Sequence, residues 1–153
     1  MQLSQFFRSS PAARDSVAPL ILRVALGAML FPHGAQKLLG WFGGYGFTGS
    51  MGFLTGQVGA PWIVGLLVIL GEFFGSLLLL VGLGTRFAAA SVAIIMAGAT
   101  IQHQANGFFM NWAGNQKGEG LEFFLLAIGI AFSLIALGGG KWSLDSRLTR
   151  DHA

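Results

Sequence analysis

The 153 residues contain no cysteine. That excludes disulfides, CxxC redox chemistry, iron–sulfur ligation and thiolate nucleophiles. A redox role would have to use a non-protein carrier. Charge is also scarce. Asp, Glu, Lys and Arg make up 10% of the chain, against roughly a quarter in an ordinary soluble domain. A water-exposed surface of this size needs more. No GxGxxG fingerprint, phosphate loop or Ser/His/Asp nucleophile arrangement is present. The first residues, "MQLSQFFRSSPAARDS", have no h-region, so a cleaved signal peptide is not expected.

What the chain does have is apolar length. Hydrophobic residues make up 54% of it, concentrated in four stretches: about Val17 to Leu39, Pro61 to Val81, Phe87 to Gln104 and Glu119 to Leu137. Each reaches or approaches the ~20 residues that span a hydrocarbon core. Backbone groups in lipid must be satisfied within the segment, so these are helices. The expected fold is all-α: an integral membrane four-helix bundle. Residues 1–16 form a cytoplasmic tail or an interfacial anchor through Phe6, Phe7 and Arg8. Residues 17–140 form the helical domain and 141–153 a cytoplasmic C-terminal tail. The 24 glycines are spread through the apolar runs and point to close approach of helix backbones. Pro61 suits a first helical turn, "GLGT" a tight turn and "GGGKWS" the end of the fourth helix.

Lys and Arg placement gives an orientation. Arg8, Arg14, Arg86, Lys141, Arg147 and Arg150 fall on one side; Lys37 and Lys117 fall on the other. Excess positive charge marks the cytoplasmic side, so both termini are expected there, in a bacterial-type inner membrane. The pI near 10.0 follows from these end-clustered residues, and no nucleic-acid partner is expected. The first loop, Gly40 to Ala60, is uncharged and rich in Gly and aromatics. Trp41, Phe42, Tyr45, Phe47, Phe53 and Trp62 fit an interfacial aromatic belt. Its "TGSMGFLTG" segment is expected to dip into the interface or to cap the bundle.

The few polar residues in the spans carry the functional question. Arg23 lies early in helix one and Glu72 in the middle of helix two. A charge at that depth costs ~2.5–3.5 kcal/mol and needs a partner inside the bundle. The two differ in depth by about one turn, so an Arg23–Glu72 ion pair is one reading and a ligand site the other. At ~100° per residue, Arg23 and Lys37 share a face, with His33 close to it. Gln102 and His103 close helix three; Glu119 and Glu122 open helix four. Candidate ligand-binding residues are therefore Arg23, His33, Lys37, Glu72, Gln102, His103, Glu119 and Glu122, around an outward-facing polar pocket. The plain alternative has Lys37 snorkelling and His33 bonding a carbonyl freed by Pro32. Two histidines on separate helices are a weak haem signal, and a His103 site with Glu119 or Glu122 is equally weak; no haem or metal is expected.

"LRVALGAMLFPHGAQKL", "GEFFGSLLLLVGLGTRFAAA", "MAGATIQHQANGFF" and "GEGLEFFLLAIGIAFSLIALGGGKWSLD" resemble the DoxX family of small four-helix membrane proteins. The resemblance runs from about Ala18 to Asp145. It places family features at Arg23, Lys37, Glu72, Arg86, His103, Glu122 and Asp145. It implies a link to quinone or quinol redox, since members are described as small subunits of quinol oxidases and thiosulfate:quinone oxidoreductases, or as protective against quinones. The resulting expectation is a quinone- or quinol-like ligand bound by a subunit or partner of a membrane redox system. The alternatives are a small-solute transporter and a non-catalytic assembly subunit. Expected partners are membrane lipids, a membrane redox protein, a small-molecule ligand and further copies of the chain.

Overall fold

A computed structural model describes residues 9–150 of the chain. Six α-helices and no strand occur among them. The helices are α1 (Ala18–Leu39), α2 (Gly46–Gly56), α3 (Trp62–Val81), α4 (Thr85–His103), α5 (Glu122–Leu137) and α6 (Leu144–Arg150). Three of them, α1, α3 and α4, are long and apolar enough to cross a membrane; α5 is apolar but has 16 residues. At 1.5 Å per residue α5 is about 24 Å long, short of the ~30 Å hydrocarbon core.

These three and the shorter α5 pack in a ring: α1 on α3, α3 on α4, α4 on α5 and α5 back on α1. Their inward sides form one core of Leu26, Leu30, Leu79, Val92, Met96, Phe124, Ala127, Ala131 and Leu134. Their outward sides are apolar too. Ile21, Leu67, Phe74, Ile94 and Leu126 are all more than half exposed. Helices apolar on every side need an apolar solvent, so this is a membrane protein.

Glycine sets the closest seam. A Cβ at Gly34 would lie 2.6 Å from the Phe73 backbone, and one at Gly27 would lie 2.9 Å from the Ser76 carbonyl oxygen. These positions let α1 and α3 touch backbone to backbone. The "GLGT" turn forms as expected: Gly82 and Gly84 both hold positive φ, 70° and 57°, which glycine adopts without steric cost.

Two expectations change. The Gly40–Ala60 segment is not simply a loop. It contains α2, which packs on both α1 and α3 and buries Ser50 and Met51. The C-terminal segment is not a free tail either. Ser143, Asp145 and Ser146 are buried, and the Asp145 N–H donates to the Gly82 carbonyl at 2.9 Å. The N-terminal segment joins them: the Ser10 N–H bonds the Leu137 carbonyl at 2.9 Å. Phe6, Phe7 and Arg8, the candidate anchor, lie outside the described residues.

Candidate functional site

The intramembrane charges divide between the two ends of the ring. Arg23 is 2% exposed and sits at the end where the segments before α1 and after α5 pack together. Its guanidinium donates to the carbonyls of Leu80 (2.6 Å), Leu79 (3.3 Å) and Trp142 (2.9 Å). These are the last-turn carbonyls of α3, left open by the helix end, plus one from the C-terminal segment. Asp145 completes this end. Its two carboxylate oxygens accept the N–H groups of Gly84 (2.7 Å) and Thr85 (2.9 Å), which caps α4 with a negative charge where the helix dipole is positive.

Arg23 and Glu72 therefore do not pair. Glu72 lies two turns back along α3 from Leu79, about 10 Å on the helix rise, and it takes Lys37 instead. Lys37 Nζ donates to Glu72 Oε2 at 2.6 Å. The pairing follows from Gly34, which brings the next turn of α1 onto the Glu72–Phe73 backbone. Lys37 then reaches from one turn away. Arg23 thus lies apart from Lys37 and Glu72, which form a mutually satisfied pair.

The histidines lie at the same, loop end as that pair, though not beside each other. His33 is exposed and meets the Phe123 ring edge-on, at 6.5 Å between centroids and 60°. Phe123 meets Phe124 at 5.5 Å and 81°. Phe124 meets His103 at 4.9 Å and 44°. A row of rings thus runs from α1 across the first turn of α5 to the end of α4, with the two imidazoles at its ends. No cluster of three or more metal-ligating side chains forms among the described residues. His103 Nδ1 lies 2.9 Å from the Ala99 carbonyl. A carbonyl only accepts, so Nδ1 is the donor in this contact.

The other candidates have local roles. Glu119 Oε2 accepts the Asn111 N–H at 3.0 Å, and Asn106 Nδ2 donates to the Glu119 carbonyl at 3.1 Å; both contacts shape the loop between α4 and α5. Glu122 is the first residue of α5, where a carboxylate suits the helix dipole. Gln102 is exposed. Gln36 Nε2 donates to the Phe42 carbonyl at 3.2 Å and draws the aromatic loop over the end of α1.

Below the ring row, between α1 and α5, is a cavity of about 210 Å³ lined by Ala25, Leu26, Met29, Phe123, Leu126, Ala127 and Ile130. The lining is apolar. Sequence reasoning expected a polar pocket and did not single out Phe123, which meets the His33 ring and also lines the cavity. Adjacent aromatics opening α5 were the available signal.

The DoxX family model matches residues 18–111. The chain belongs to the DoxX family. The DoxX match takes in Arg23, His33, Lys37, Glu72, Gln102 and His103 and ends before Glu119, Glu122 and Asp145. A relative from Bacillus subtilis named "Putative oxidoreductase CatD" is 30% identical over 118 residues, 77% of this chain and 78% of the relative. An "Uncharacterized protein" from Haemophilus influenzae is 34% identical over 135 residues, 82% of this chain and 87% of that protein. No solved structure matches.

Proposed function

We propose that this DoxX protein binds a quinone- or quinol-like ring at the loop end of the helix ring, as a subunit or partner of a redox system in a bacterial inner membrane. Both termini are on the cytoplasmic side in this reading, so the site faces outward. The observation that carries it is the row His33–Phe123–Phe124–His103 above an apolar cavity. A quinone presents an apolar ring with two carbonyl acceptors. Phenyl faces receive the ring, and an imidazole N–H donates to a carbonyl oxygen. The Lys37–Glu72 pair next to the row is neutral as a unit, which suits an uncharged ligand. The relative named an oxidoreductase supports a redox setting, and the cysteine-free sequence leaves the electrons to a bound carrier.

A second reading, a non-catalytic assembly subunit, draws on one observation: Lys37 and Glu72 satisfy each other, so neither needs a ligand. Binding separates the two readings. Purified protein is titrated with a short-chain, water-soluble quinone and followed by tryptophan quenching; bound quinone is extracted in parallel. His33→Phe keeps the ring against Phe123 and removes the donor. A lost hydrogen bond of ~0.5–1.5 kcal/mol weakens binding up to about ten-fold, with the melting temperature unchanged. Wild-type protein that neither binds the analogue nor carries quinone would leave the assembly reading.

A further inference from the structure

The α1/α5 cavity has a cause in the sequence. The glycines of α1, Gly27 and Gly34, both face α3, so α1 is drawn against α3. On its other side it meets α5 through Leu26 and Met29, while the small side chains Ala25 and Ala127 leave space between the helices. Ala25 is exposed and Leu126 is 67% exposed, so the cavity opens sideways between the two helices into the surrounding bilayer. Its volume, about 210 Å³, is below the ~300–1,000 Å³ of pockets that engulf a whole drug-sized ligand. It takes part of a ligand.

We propose that this cavity holds the first segment of an isoprenoid chain whose quinone head lies against Phe123 and His33, so that the ligand is a long-chain quinone entering sideways from the bilayer. The inference rests on the quinone reading above and names the ligand class more closely. Position is the first argument. Phe123 belongs to both the cavity lining and the His33 contact, and His33 follows Met29 by one helical turn, about 6 Å. An apolar slot ending at an imidazole matches a chain ending at a carbonyl-bearing ring. Charge is the second. A phospholipid at this place would bring a phosphate, and Lys37, the cation of α1 nearest to His33, is already bound to Glu72 at 2.6 Å. The site therefore favours an uncharged head over an anionic one.

The test places the protein in nanodiscs with a long-chain benzoquinone that carries a photoreactive diazirine in its first isoprene unit, and maps the labelled residues by mass spectrometry. Labelling is expected several-fold higher on Met29, Leu126 and Ile130 than on Phe74 and Ile94, which face the bilayer elsewhere on α3 and α4. Ala25→Phe fills the slot and should lower that labelling several-fold; Val24→Phe, on the exposed side of the same helix, should not. Leu126→Trp narrows the opening from the bilayer side and must give the same loss if Ala25→Phe proves unstable. Binding of the short-chain quinone should stay within about two-fold in the slot variants. Labelling spread evenly over all bilayer-facing helices, with short-chain binding intact, would overturn this inference and leave the quinone reading standing. Absence of short-chain binding in the wild type would overturn both.

Discussion

Removing Lys37 should cost this protein more than removing the charge of Glu72, although the two make a single contact. The Glu72 side chain is 7% exposed and that of Lys37 is 30% exposed. In Lys37→Met the carboxylate stays in the helix seam without its partner. Stranding a buried charge in this way costs ~3–5 kcal/mol, or on the order of ten degrees of melting temperature for a chain of this size. In Glu72→Gln the ammonium keeps an amide oxygen to donate to and has a path to the loop end along its flexible stem. That loss should be ~1–2 kcal/mol, the scale of a hydrogen bond to a charged group. Replacing both by Met removes the stranded charge, and buried pairs exchanged for apolar side chains are often neutral. The double variant should therefore recover most of what Lys37→Met lost. The assay is a double-mutant cycle on detergent-purified protein, read by thermal and denaturant midpoints. Equal single losses, or losses that add in the double variant, would refute the pairing and the burial asymmetry drawn from it.

Three further outcomes follow from the packing and the charge pattern. Gly34→Ala places a methyl 2.6 Å from the Phe73 backbone and should lower the thermal midpoint sharply, whereas Gly98→Ala, with nothing within 4 Å of the new Cβ, should raise stability by up to ~1 kcal/mol; the same melting assay compares them. Asp145→Asn gives up charge-assisted bonds to the Gly84 and Thr85 N–H groups and should cost ~2–3 kcal/mol, and truncation after Gly138 should cost more because it also removes the Trp142 carbonyl from Arg23. For topology, a reporter fused at the C-terminus should be active only if it folds in the cytoplasm; periplasmic activity would reverse the side on which the ring row opens.

Three of the four expected spans were legible because length in lipid is a hard constraint. The first two helix boundaries fall within one residue of the apolar runs, and α5 begins at Glu122, three residues after the expected start. The glycine turn at Gly82–Gly84 was legible because positive φ restricts the residue type. The α2 helix was not. Gly46, Gly49, Gly52 and Gly56 each work against a helix by up to ~1 kcal/mol, and α2 forms because Ser50 and Met51 are buried against α1 and α3. The polar site was half legible. Sequence grouped His33, Lys37, Glu72 and His103 as candidates around one pocket but placed Arg23 with them, either paired with Glu72 or at a ligand. The deciding quantity was helix register. Gly34 on Phe73 and Gly27 on Ser76 set Lys37 level with Glu72 and Arg23 level with the last α3 carbonyls, and a depth estimate good to one turn does not resolve that difference.

The two ends use polar groups in opposite ways, and this bears on where function sits. At the terminal end, the side chains of Arg23, Asp145, Ser143 and Ser9 hold backbone groups of α3, of the start of α4 and of the segment after α5. Bonds of that kind fix helix ends and offer little to a ligand. At the loop end the lysine and glutamate neutralise each other, one imidazole is exposed, and the other bonds the Ala99 carbonyl through Nδ1. The phenyl rings between them belong to the first turn of the shorter helix α5. In the proposed reading, a helix ring locked at one end and joined through edge-on and tilted aromatics at the other admits a planar, uncharged ring at the second end without loosening the first. In that reading the Lys37–Glu72 pair matters: a lone charge of either sign beside the aromatic row would favour a charged ligand, whereas the pair presents only a dipole.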